Sequence, residues 1–233
     1  MGPGRCLLVA TPTGGPSVAD SAGVYKPGYF ETRLAEDPNR RIVWGHICDY
    51  LSRWVGADAD VLELGAGWCD FSNAVQARTV TAMDLDATVV RAARPGVTAI
   101  VGDCSDLTPF ADGAFDVALA SNLLEHLDRA TAERLLAEAY RVLRPGGRLI
   151  LIQPNFRLNP HEYFDDYTHV AIYTDRSLRD LLTAHGWNVE HVAARFLPLT
   201  MKSRVAGLSF LVPWYLRSPV KPMAGQMMIV ASR

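Results

Sequence analysis

Five short apolar runs, at residues 61–64, 80–83, 97–101, 115–120 and 149–152, recur along the middle of the chain, separated by stretches with helical spacing. Each has strand length and is rich in Val, Leu, Ile or Ala without polar alternation, the pattern of strands covered on both faces. Helices are expected near 70–77, 87–93, 123–128 and 131–143, the last closed by Arg144-Pro145-Gly146-Gly147, a stop and a turn. Strands and helices in alternation dictate a parallel sheet wound on both faces, because each parallel pair needs a crossover. Upstream, residues 31–55 carry apolar positions at helical spacing, with Asp37-Pro38 as the start signal. Downstream, 177–185 reads as a helix stopped at Gly186, and 187–193 and 226–231 as two more strands. The intervening apolar, Pro-interrupted segment 194–225 is expected to lie over one sheet edge.

At 233 residues and 49% hydrophobic, the chain can bury one sizeable core, so a flexible tail over 1–24 and a single domain over 25–233 are expected. The tail follows from its Gly, Pro, Ser and Thr content. Its apolar run 6–10 is too short for a signal peptide, and nothing approaches the ~20 apolar residues of a membrane span. Four cysteines without a C-x-x-C pair read as reduced thiols. The expectation is a cytoplasmic protein without a membrane partner. A net charge of −2 likewise argues against a nucleic-acid partner.

The turn after the first strand, VLELGAGWCDF, holds Gly65 and Gly67 but places Asp70 where a third glycine would complete a dinucleotide fingerprint. An acid in the first turn of a following helix occupies the ground a diphosphate would need, so a neutral or cationic ligand is expected. Asp84 ends the second strand at the spacing of an acid that grips ribose hydroxyls, Asp86 is placed to cap the next helix, and Asp103 ends the third strand. Glu63, Asp84 and Asp103 then face one cleft, with Asp70 beside it. Such a cradle suits a ribose, an amino group and a sulfonium, and S-adenosylmethionine is the ligand that fits.

These segments resemble class I S-adenosylmethionine-dependent methyltransferases over about residues 40–193. VLELGAG is similar to the family's first motif, AMDLD to its ribose-binding acid, VGDCSDLTPFADGAFDVALASNLLEHL to the adenine-side segment and fourth strand, and AEAYRVLRPGGRLIL to the helix and strand that follow. The resemblance implies a Rossmann-like sheet of seven strands, mostly parallel with an antiparallel last strand. It places Glu63, Gly65 and Gly67 along the methionine part, Asp84 and Leu85 at the ribose, Asp103 and Cys104 at the adenine, and Asn122 beside the cofactor.

Methyl transfer to an alcohol needs a proton acceptor near neutrality. His126, next to Glu125 after the fourth strand, and His169, in the loop after the fifth, are the candidates. Asn122-x-x-Glu125-His126 partly resembles a metal-binding pattern of some methyltransferases, so Glu125, His126 and His169, with Asp165 or Asp166, are also expected to suit Mg²⁺ or another divalent cation. Tyr29, Arg33, His161, Tyr163 and Asp166 are expected on the substrate or lid side. The segments YFETRLAEDPNRRIVW and LPLTMKSR resemble bacterial methyltransferases found with glycan assembly enzymes, which implies a sugar or oligosaccharide hydroxyl as acceptor. A secondary metabolite or quinone acceptor is the alternative within the class. A nicotinamide-dependent oxidoreductase and a non-catalytic cofactor-binding protein are the alternatives outside it. Phe210, Trp214 and Tyr215 in the 194–225 segment are expected to bury a homodimer surface or stack on substrate.

Overall fold

The computed structural model describes residues 29–32, 34–198 and 209–233; the expected tail, Arg33 and 199–208 lie outside them. In chain order the elements are α1 (Tyr29–Thr32), α2 (Pro38–Leu51), β1 (Asp60–Leu64), β2 (Thr79–Asp84), α3 (Thr88–Ala92), β3 (Val97–Val101), β4 (Phe115–Ser121), α4 (Arg129–Val142), β5 (Leu143–Pro154), α5 (Asp175–Ala184), β6 (Asn188–Ala193), α6 (Val212–Arg217) and β7 (Gln226–Ser232). The seven strands form one sheet in the order β3-β2-β1-β4-β5-β7-β6. Pairs from β3 through β5 are parallel, while β7 runs antiparallel to both β5 and β6.

Alternate strand residues feed two cores, as period-two side chains must in a sheet covered on both faces. On one face Leu62, Leu64, Leu149 and Leu151 meet Leu135, Leu136 and Ala139 of α4 and Leu178 and Leu182 of α5. On the other, Val61, Leu119, Ile150 and Ile152 meet Trp44, Ile47 and Leu51 of α2. Local signals fix these helices. Asp37 accepts the Asn39 N–H at 2.9 Å with Pro38 opening α2, Asp128 caps α4 through the Thr131 N–H at 2.8 Å, and a Thr174–Ser177 capping box starts α5.

Four expectations need correction. Residues 70–77 do not form a helix: the chain turns repeatedly after the glycine loop, with Cys69 held at φ 54°, a left-handed conformation that no regular helix continues. The 97–101 run is half-exposed, because β3 is an edge strand with only β2 beside it. Residues 123–128 are not a regular helix but hold a 3-10 turn at Leu124–His126, whereas Arg144-Pro145-Gly146-Gly147 follows the end of α4 at Val142 as expected and bulges out of β5, between Leu143 opposite Phe115 and Arg148 opposite Val117. The described part of 194–225 lies on a sheet face beside α2, where Leu216 joins the α2 core, and not over an edge. Among the described residues no helix is long and apolar enough to cross a membrane.

Candidate functional site

Strand ends, not helices, build the first half of the site. Where β1 stops, Gly65 adopts φ 70° and Gly67 φ 50°. A Cβ on Gly65 would meet Leu123 Cδ1 at 3.0 Å, so the loop needs glycine for both conformation and space. The Gly65 and Ala66 N–H groups both donate to the Met83 carbonyl, at 2.9 and 3.0 Å, and Gly65 N–H also approaches Cys104 Sγ at 3.2 Å. Asp84 braces the loop from β2: its Oδ2 accepts the Gly67 N–H at 2.8 Å and its Oδ1 the Asp86 N–H at 2.8 Å. Asp86 in turn accepts the Thr88 N–H at 2.7 Å from two residues before α3, whose N-cap is Ala87 and not Asp86 as expected.

One cavity is lined by Glu63, Gly65, Gly67, Asp70, Asp84, Leu85, Asp103, Cys104 and Asn122, together with Tyr29, His126 and Thr168. Every cofactor-side residue expected from the sequence therefore lies on one wall system. Burial makes Glu63 and Asp84 reluctant to ionise. The Glu63 carboxyl is pushed up to about 8 by desolvation, against the Ser72 backbone and hydroxyl donors that hold its Oε2. Asp84 is also raised by burial, less its two backbone donors. A carboxyl that burial keeps neutral gains from a cation beside it, which fits the sulfonium and amino group of S-adenosylmethionine.

Asp70 has a different part from the one its sequence position suggests. With no helix behind it, it offers no dipole argument. Its carboxylate is bonded to Arg40 of α2, with Arg41 3.9 Å away. The pair is largely buried and ties α2 to the glycine loop, and Arg40 itself lines the cavity. The cavity wall thus includes a cation, so the expectation that Asp70 at a helix start bars a diphosphate from the loop does not hold. Trp68 adds a second tie, its indole N–H donating to the Leu34 carbonyl at 2.6 Å.

The other half is a loop folded across the turn that follows β4. Asn122, at φ 50°, bonds to Gln226 of β7 (3.0 Å), and Leu124–His126 makes a 3-10 turn. The Glu125 carbonyl accepts the Val170 and Ala171 N–H groups at 2.9 and 3.1 Å, which docks the loop. His126 then sits between Tyr29, edge-on at 5.6 Å, and His169, at 5.0 Å between ring centroids. Its Nδ1 faces the Thr168 carbonyl at 3.3 Å and the Thr168 hydroxyl at 3.0 Å, while Asp166 accepts the Thr168 N–H and hydroxyl. The carbonyl calls for a proton on Nδ1, which leaves Nε2 as the basic nitrogen. Glu125 is fully buried with neither carboxylate oxygen hydrogen-bonded among the described residues, and burial pushes its carboxyl up to about 8. Ligand atoms of Glu125, His126 and His169 lie within 4.8 Å of one another.

The remaining substrate-side candidates divide. Tyr163 is not on a lid: it is buried, its hydroxyl donating to the Ala171 carbonyl at 2.6 Å and its ring packed on Phe156 and His169. His161 is exposed and does not line the cavity. His169 stays behind His126, with Nδ1 2.6 Å from the Tyr163 carbonyl. Asp166 acts through Thr168, and Asp165 is outside the His–Glu cluster. Sequence reasoning missed Arg40, Thr168 and Gln226. Only Thr168, adjacent to His169 in the polar loop, had a nearby signal.

Comparison with known proteins agrees with this fold. Residues 62–151 match the methyltransferase domain family. The malonyl-[acyl-carrier protein] O-methyltransferase of Methylococcus capsulatus is 33% identical over 156 residues, 60% of this chain and 55% of that protein. The ubiquinone/menaquinone biosynthesis C-methyltransferase UbiE of Geotalea daltonii is 31% identical over 121 residues, 44% of this chain and 50% of that protein. The chain thus spans about half the length of these relatives. A solved S-adenosylmethionine-dependent methyltransferase from Archaeoglobus fulgidus has the same fold, with a TM-score of 0.62, 16% identity, and coverage of 88% of this chain and 98% of that one.

Proposed function

We propose that this chain, which carries a class I S-adenosylmethionine-dependent methyltransferase domain, moves a methyl group to a hydroxyl of a small polar acceptor, a sugar or oligosaccharide first. The observation that carries the proposal is that His126 and the acids Glu63, Asp84 and Asp103 line one cavity. S-adenosylmethionine, when bound, supplies an electrophilic methyl on a good leaving group. The protein's share is to hold the acceptor in line, exclude water and take its proton. His126 takes that proton at Nε2, while Thr168 holds the ring by Nδ1. Glu125, neutral near pH 7 because it is buried, leaves the imidazole without a fixed anion beneath it. Phe164 and Tyr167 are exposed on the loop that carries Asp165 and Asp166, which suits stacking on and hydrogen bonding to a sugar ring. The likeness to a quinone C-methyltransferase supports a quinone or related metabolite as the second acceptor class.

The Glu125, His126 and His169 cluster supports a further reading of the same residues, a divalent cation that lowers the pKa of an acceptor hydroxyl when bound. Two imidazoles and one carboxylate fit a first-row transition ion better than Mg²⁺, which favours oxygen ligands. The two readings exclude each other at one atom, since His126 Nε2 cannot both ligate and accept a proton. Elemental analysis of protein purified without chelators decides between them: about one bound ion per chain favours the cation, a trace favours the base. Methyl transfer to a panel of mono- and oligosaccharides and quinones tests the acceptor. His126→Ala is expected to cut turnover by about 10²-fold or more with S-adenosylhomocysteine affinity unchanged. Wild-type turnover in that variant overturns both roles of His126.

A further inference from the structure

The segment between β6 and β7 has a charge pattern unlike the rest of the chain. Residues 194–225 contain five basic residues, Arg195, Lys202, Arg204, Arg217 and Lys221, and no Asp or Glu, in a chain whose net charge is −2. The same segment presents large apolar side chains to solvent: Phe210 is 64% exposed, Trp214 78%, Val220 72% and Met223 88%. Short α6 explains how. It turns Leu216 into the α2 core and leaves Trp214 outside. Lys221 donates to the Tyr215 and Leu216 carbonyls at 3.2 and 2.8 Å, fixing the end of the helix. Arg195 and Arg217 are exposed and make no ion pair among the described residues. Exposed aromatic and aliphatic side chains on one segment with two exposed arginines outside any ion pair among the described residues are the chemistry of a monotopic membrane face.

Its place in the fold adds a second reason. Gln226 opposes Pro154 and Met228 opposes Ala193, so the segment leaves and re-enters the sheet at the carboxyl ends of the parallel strands, the edge that carries the cavity. The two stems are pinned to each other: Phe196 N–H donates to the Gln226 carbonyl at 2.7 Å, and Gly225 N–H to the Leu197 carbonyl at 2.9 Å. Leu197 and Gln226 both line the cavity. We infer that Arg195 and residues 210–223 form a docking face for an anionic lipid surface, which brings the cavity to acceptors held at a membrane. This replaces the expectation of no membrane partner, which was argued from the lack of a spanning segment. A second copy of the chain is the poorer occupant. A two-fold interface would set this acid-free segment against itself, cation on cation, whereas anionic lipid complements it.

The test is co-sedimentation of the full chain with vesicles of phosphatidylcholine alone and with about 30 mol% phosphatidylglycerol. Binding is expected only to the anionic vesicles, with loss near 1 M salt through screening. Phe210→Ser with Trp214→Ser is expected to lower partitioning by about tenfold or more, at unchanged S-adenosylhomocysteine affinity, which also reports that the variant is folded. Arg195→Glu with Arg217→Glu, outside the cavity lining, is the second variant and should remove the anionic preference. Equal or absent binding to both vesicle types overturns the inference. So does sedimentation velocity that shows a dimer which the Ser variant dissociates, for the face would then belong to a second copy. Failure of the wild-type chain to bind S-adenosylhomocysteine strikes the proposed function and leaves the vesicle result standing.

Discussion

Glu63 offers the sharpest test of a site built for a cation. Its carboxyl is fully buried beside Ser72 and held at about 8, against 4.5 for a free glutamate. The folded state therefore holds a proton that the unfolded chain releases. The raised value means that this group's contribution to stability is complete below about 4.5 and is lost as pH rises through about 8. Each pH unit in that window costs about 1.4 kcal/mol, so by pH 7 the loss is on the order of 3 kcal/mol. Glu125 is displaced to the same value and adds a similar slope. Carboxylates held low by arginine, such as Asp60 and Glu138, finish titrating below this window and do not mask it. Glu63→Gln keeps an oxygen for the Ser72 donors and removes the titration. Urea unfolding of the cofactor-free protein between about pH 5 and 8, followed by tryptophan fluorescence, should show stability falling in the wild type and falling less steeply in the variant. Calorimetry in buffers of different ionisation enthalpy should then show proton release when S-adenosylmethionine binds the wild type near pH 7, and less release in Glu63→Gln. Flat wild-type stability across the window, or an unchanged slope in the variant, would refute the argument that this acid is held neutral until a cation arrives.

Three further outcomes are expected. Asp84→Asn leaves one of two backbone donors without an anionic acceptor and removes a charged contact of about 1.5–3 kcal/mol, so the dissociation constant for S-adenosylhomocysteine should rise by about tenfold or more in calorimetry. Arg40→Met strands the Asp70 carboxylate, of which only 8% is exposed, and should cost on the order of 2–3 kcal/mol in urea unfolding. Arg40→Met with Asp70→Leu should recover much of that loss, because no buried charge remains. Thr168→Val deletes the hydroxyl 3.0 Å from His126 Nδ1. It should lower kcat several-fold and shift the pH–rate profile, with cofactor affinity unchanged; a purely structural effect would lower stability and leave the profile in place.

The two halves of the site differ in how far the sequence discloses them, and the reason is contact range. Glu63, Asp84 and Asp103 close apolar runs, and a parallel sheet brings the carboxyl ends of its strands to one edge, so reading the strands already places the acids. The same logic reaches Gln226 only through the antiparallel pairing of β7 with β5, which composition alone does not dictate. Where a residue's role depends on a partner distant in sequence, local pattern misleads. Asp70 looked like a helix-start acid, yet its partner Arg40 lies 30 residues upstream, and left-handed Cys69 prevents the helix. Tyr163 sits in a polar loop and looked like a lid residue, but the loop docks on the Glu125 carbonyl and turns that ring inward. Thr168 meets His126 across 42 residues. The loop proposed to face the acceptor is held to the turn after β4 by backbone bonds to the Glu125 carbonyl, which most side-chain changes leave intact. Under the proposed function, such an arrangement lets acceptor preference vary while the strand-end acids stay fixed.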